Sequence, residues 1–129
     1  ITTDRLIDWL NRTRPLNPSQ HLADLLKESF CDEDQEFNAL IPAAQLIDLV
    51  CIDLIEQRRL GNSVDVESLI EQFPSLQNDE YVLDLIDADI CVLTETNSSR
   101  AAKTQANQYI DRFPHLAEQI NELIGMNIS

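Results

Sequence analysis

Two aspartates, Asp53 and Asp89, fall where a carboxylate is costly. At 100° per residue Asp89 lands among Val82, Leu85 and Leu93, and Asp53 lands between Leu46, Leu49 and Leu60. An ionised carboxylate withdrawn from water needs a cation or several hydrogen-bond donors. Arg112, directly before Phe113, is the expected partner of Asp89. Asp53 has Arg58, Arg59 or the backbone N–H groups of a neighbouring helix start within reach. The chemistry open to such acids is proton transfer or metal binding. Metal sites in helical bundles use Glu-x-x-His or His-Glu-x-x-His sets, and neither occurs here; His21 and His115 are remote from both acids in sequence. The residues therefore favour a structural role for Asp53 and Asp89, with no catalytic, cofactor-binding or metal-binding residue assigned.

Other reaction chemistries find little support. The sequence has no Gly-x-Ser-x-Gly and no familiar Cys/His pattern, and two glycines cannot build a phosphate-cradling loop. Cys31, Cys51 and Cys91 are too widely spaced for a zinc knuckle or a thioredoxin-like motif, so reduced thiols in a cytoplasmic compartment are expected. The acidic stretch Cys31–Glu36 lacks the alternating acids and central Gly of an EF-hand loop and reads as a solvated connector. The basic pair Arg58-Arg59 could contact an acidic or phosphorylated partner. Its placement at a helix C-terminus, where cations complement the macrodipole, is the simpler explanation.

The elements that must position these residues are helices. Leu, Ile, Ala, Glu, Asp and Gln dominate, and Pro and Gly divide the chain into about six to seven segments of helical periodicity. These run over about 3–13, from Asn17-Pro18 to Phe30, 43–60, 65–73, 79–94, 100–112, and from Pro114 to Gly125. Within them one phrase recurs forty positions apart: Ile70-Glu71-Gln72-Phe73-Pro74-Ser75-Leu76 returns as Ile110-Asp111-Arg112-Phe113-Pro114-His115-Leu116. A fixed period marks a duplicated supersecondary unit. Phe73, Leu76, Phe113 and Leu116 should plug a corner at which Pro74 and Pro114 divide two helices. The expected architecture is all-α, a compact bundle in one domain over 1–129. It comprises an N-terminal helical pair and acidic connector (1–41), a first repeat unit (42–78) and a second unit with a closing helix (79–125).

A net charge of −14 disfavours nucleic acid and membrane surfaces, both rich in phosphate. It leaves a basic protein partner open. No apolar run approaches the roughly 20 residues that span a bilayer. The absence of an initiating Met suggests a processed product or, as the preferred reading, a piece of a longer protein.

Two segments carry a resemblance. Ile52-Asp53-Leu54-Ile55-Glu56-Gln57-Arg58-Arg59-Leu60-Gly61, followed by Val66-Glu67-Ser68-Leu69-Ile70-Glu71-Gln72-Phe73-Pro74-Ser75-Leu76, resembles the region preceding the kinase domain in planctomycete-type bacterial serine/threonine protein kinases. Leu85–Ile90 and Tyr109-Ile110-Asp111-Arg112-Phe113-Pro114 resemble its second unit, so the likeness spans roughly 46–124. Arg59 stands where Trp is common in that region, Ile90 where an aromatic is common, and the second unit lacks the usual Gly. Every kinase motif is absent from the chain. The resemblance implies a noncatalytic regulatory or protein-interaction domain attached to a kinase, without cofactor. A stand-alone adaptor is the alternative, and a small helical enzyme or metal-binding bundle the third. The partner would be a protein or the attached kinase domain.

Overall fold

The structure, a computed structural model, describes residues 2–18, 20–30 and 41–127. The acidic connector Cys31–Glu36 lies outside the described residues. Seven α-helices and three short 3₁₀ turns make up the described secondary structure, and no strand occurs among these residues: the fold is all-α.

Helix α1 (Thr3–Thr13) starts at the Thr2 side chain, which accepts from the Arg5 N–H, and buries Leu6 and Leu10. A 3₁₀ turn, Arg14–Leu16, follows directly. The expected helix start at Asn17-Pro18 does not form, and α2 covers Leu22–Phe30 instead. Asn17 is used differently: its amide donates to the Thr13 carbonyl at 3.0 Å, closing the end of α1 rather than opening α2.

Helix α3 (Ala43–Arg59) ends in a Schellman motif. The Gly61 N–H reaches the Arg58 carbonyl and the Asn62 N–H reaches the Gln57 carbonyl, both at 2.9 Å. Gly61 holds φ at +85°, and a Cβ built there would meet nothing within 4 Å. Gly61→Ala should therefore cost only the left-handed backbone strain, about 1 kcal/mol. A urea midpoint unchanged by the substitution would contradict this account.

Three further caps set the remaining helices. Asp65 caps α4 (Val66–Gln72), Asn78 caps α5 (Asp79–Thr96) and Ser98 caps α6 (Ser99–Arg112). The last helix, α7 (Ala117–Asn127), runs through Gly125 instead of stopping there. Both Phe-Pro corners are 3₁₀ turns, Pro74–Leu76 and Pro114–Leu116. The two copies differ in burial. Phe73 is fully buried, whereas Phe113 is half-buried against the core and meets the His115 ring edge-on.

Contacts between α3 and α5 advance in step along both helices: Cys51 with Asp84, Arg58 with Asp89, Arg59 with Glu95. The two long helices thus run parallel, and α4 with its corner is the crossover between them. α6 returns antiparallel on α5 after a two-residue connector, α7 closes over both, and α1 packs on α3. The parallel pair shares a register thirty-six residues apart: Leu46 with Val82, Leu49 with Leu85, Val50 with Ile86, Asp53 with Asp89, Leu54 with Ile90. All ten positions are buried. The corner repeats at forty because a seven-residue α4 in the first unit is replaced by a fourteen-residue α6 in the second, with a shorter connector before it. No described helix is long and apolar enough to cross a membrane.

Candidate functional site

The two buried acids sit at matched positions on parallel helices, and each is gripped by an arginine from the end of an earlier element. Arg14, at the C-cap of α1, is 4% exposed. Its Nε donates to Asp53 Oδ1 and its Nη2 to Asp53 Oδ2, both at 2.7 Å. Its Nη1 donates to the Asn17 and Gln20 carbonyls at 2.9 and 2.5 Å. The Gln57 amide, with its oxygen turned toward the guanidinium, lies 3.0 Å from Nε. A planar fork on a carboxylate with the remaining donors on carbonyls is the arrangement that lets an ion pair survive burial.

Asp89 is fully buried and is held by Arg58, whose Nε lies 2.6 Å from Oδ1 and whose Nη2 lies 3.1 Å from Oδ2. Tyr109, also fully buried, donates its hydroxyl to Oδ2 in a short hydrogen bond. Burial first, and the adjacent Asp89 charge second, push the Tyr109 phenol well above its ordinary range. The hydroxyl therefore remains a donor wherever the fold persists.

These partners correct the expectations drawn from sequence. Arg112 does not reach Asp89; it lies on the surface, 3.6 Å from Asp65 and 3.5 Å from Glu67. Asp53 is served by Arg14, not by Arg58 or Arg59. Arg58 is committed to Asp89 inside the fold, which removes it as a surface contact for a partner. Arg59 is half-exposed between Glu56 and Glu95. Arg14 and Tyr109 are the residues that sequence reasoning missed. Arg14 sits in a Pro-rich turn outside any helical face, and Tyr109 lies at the end of a helix of low hydrophobicity.

Among the described residues no group of three or more His, Cys, Asp or Glu is placed to hold a metal ion. Cys51 points at the Asp84 carbonyl at 3.8 Å. Burial, and then the charges of Asp84, Asp48 and Asp87, push its thiol up to about 12. At pH 8 only about 10⁻⁴ of such a thiol is ionised, against roughly a quarter for an ordinary cysteine. Cys51 should accordingly be alkylated at least about a hundredfold more slowly in the folded chain than in the denatured one. Peptide mapping after an iodoacetamide time course measures this, and equal rates would contradict it.

One cleft of about 350 Å³ opens beside the first clamp. Arg14 and Asp53 lie in its wall, with Leu54 beside them, and α4 with its cap supplies the facing side through Asp65, Ser68, Leu69 and Gln72. That spacing of three, four and seven residues places all four on a single helix face. A second cleft of about 290 Å³ lies between the two Phe-Pro corners, lined by Ile70, Val82, Phe113 and His115 among others.

No protein-family model, no curated protein and no solved structure matches this chain.

Proposed function

We propose that this chain is a noncatalytic protein-interaction or regulatory domain. We further propose that it precedes a serine/threonine kinase domain in a cytoplasmic bacterial protein. One observation carries the first part: both buried carboxylates, the groups best suited to proton transfer, have their oxygens occupied by arginine forks and, at Asp89, by a tyrosine hydroxyl. They hold helices together, and the described surface offers the clefts beside Arg14 and beside Phe113 on a strongly acidic chain. Such surfaces suit recognition of a basic partner. The kinase attachment rests on the likeness of residues 46–124 to the leader of planctomycete-type kinases.

Two measurements test the reading. The coding sequence beyond Ser129 should encode a Gly-rich loop, a His-Arg-Asp loop and an Asp-Phe-Gly motif; a stop codon there would leave an adaptor domain instead. Deleting residues 1–129 from the full-length protein should change its autophosphorylation rate or its co-purifying partners. Identical rates with identical partners would end the regulatory reading.

A further inference from the structure

We infer that the 290 Å³ cleft between the two Phe-Pro corners docks a basic peptide segment of a partner protein, seating one apolar side chain inside and Lys or Arg on the rim. The inference rests on the reading of this chain as a protein-interaction domain, and it names the site and the partner's chemistry. Three elements supply the apolar floor: Ile70 on α4, Val82 on α5 and Phe113 at the second corner. The two corners share a sequence phrase but not a burial. The first packs on α3 as well as on α4, and Phe73 is completely covered. The second packs mainly on its own flanking helices, α6 and α7, and Phe113 stays half-buried at the cleft. An apolar side chain from outside would complete for Phe113 the burial that Phe73 already has, and burial of apolar area is favourable. The volume is at the small end of ligand sites and suits one side chain.

Charge decides what flanks that side chain. Glu67 on α4 and Asp79 in the first turn of α5 line the cleft, with their side chains 50% and 70% exposed. Glu67 shares Arg112 with Asp65, and Asp79 Oδ1 lies 3.2 Å from His115 Nε2. Among these described residues three carboxylates face one arginine and one histidine, so the rim stays negative even with His115 protonated. On a chain of net charge −14 such a rim draws a cationic segment and repels an acidic one. Lysines without an apolar neighbour would find no seat, and an apolar residue without lysines would lose the attraction.

The test is an NMR titration of the ¹⁵N-labelled chain with the blocked peptide Ac-Gly-Lys-Leu-Lys-Gly-NH₂. Three analogues accompany it, with Ser for Leu, Gln for both Lys, and Glu for both Lys. The parent peptide should give saturable shifts clustered in residues 67–82 and 110–116. The Ser analogue should bind about tenfold more weakly, the Gln analogue about three- to tenfold, and the Glu analogue more weakly still. Glu67→Gln combined with Asp79→Asn alters only exposed carboxylates and should weaken the parent peptide by about three- to tenfold. Phe113→Ala should weaken the parent peptide but not the Ser analogue. No saturable shift, shifts spread over the whole surface, or a Ser or Glu analogue that binds as well as the parent would each overturn the site. So would unchanged affinity in the double charge variant with its melting temperature intact. Concentration-dependent shifts at these residues without peptide would assign the cleft to a second copy of this chain and overturn it too. If deleting residues 1–129 changes autophosphorylation or partners while the cleft binds none of the peptides, this site fails and the interaction-domain reading stands.

Discussion

Alanine at position 89 is expected to lower stability by about 3–5 kcal/mol, or roughly 10–20 °C in Tm. The loss would not come from the carboxylate's own packing. Asp89→Ala leaves the Arg58 guanidinium and the Tyr109 hydroxyl without their acceptor in a region where Asp89 and Tyr109 are fully buried. Replacing the cluster as a whole should be gentler. The triple variant Arg58→Met, Asp89→Leu, Tyr109→Phe removes donors and acceptor together, and should retain more stability than Asp89→Ala alone. Thermal melts followed by circular dichroism decide this; a triple variant weaker than the single would contradict it. The tyrosine adds a pH signature. Below about pH 10 the phenol keeps its proton in both folded and unfolded chains. Above that, the unfolded chain ionises first because the folded phenol is held well above its usual range. Tyr109 should then lower stability by about 1.4 kcal/mol per pH unit, and Tyr109→Phe should remove that share of the alkaline slope, leaving the share of the Cys51 thiol, which burial also holds up to about 12.

Arg14→Met is expected to be as costly, about 3–5 kcal/mol, but uneven in its reach. It strands Asp53, 5% exposed, without a cation. It also releases the Asn17 and Gln20 carbonyls that Arg14 ties to the end of α1. The first two helices bury Leu6, Leu10, Leu22 and Leu26, and α1 meets the rest of the fold chiefly through α3. Hydrogen exchange should therefore accelerate most across residues 3–30, by roughly a hundredfold or more, with smaller changes in α5 and α6. A uniform acceleration along the chain would show that Arg14 has no special hold on the N-terminal helices.

Helical periodicity in the sequence makes the all-α class, most helix spans and the anomalous burial of Asp53 and Asp89 legible. Local rules suffice for such features, because a helix face is set by spacing alone. The partners were not legible. Asp53 and Arg14 are thirty-nine residues apart, and Asp89 and Arg58 thirty-one. Sequence proximity to the corner pointed to Arg112 instead. What decides the pairing is that α3 and α5 run parallel, which brings the end of one helix beside the middle of the next. The start of α2 was misplaced for a related reason. Asn17-Pro18 has the composition of a helix start, but the tertiary demand of closing α1 and feeding carbonyls to Arg14 takes Asn17 away. The cleft beside α4 was equally hidden, since it is the facing of two helices that creates it.

The register shared by α3 and α5 has a consequence for how the chain can be divided. Each unit is completed from outside: the first borrows Arg14 from the helical pair before it, and the second borrows Arg58 from the first. A cut at the sequence boundary near residue 42 would leave Asp53 as an orphaned anion, and a cut near 78 would do the same to Asp89. The borders expected from the sequence repeat are therefore the worst places to cut the chain, because each cut separates a buried carboxylate from its arginine. The succession also has an end. Thirty-six positions beyond Arg58 stands Thr94, whose hydroxyl turns back to the Ile90 carbonyl of its own helix at 2.9 Å. It extends no grip to a further helix, so the interlocking stops at α5.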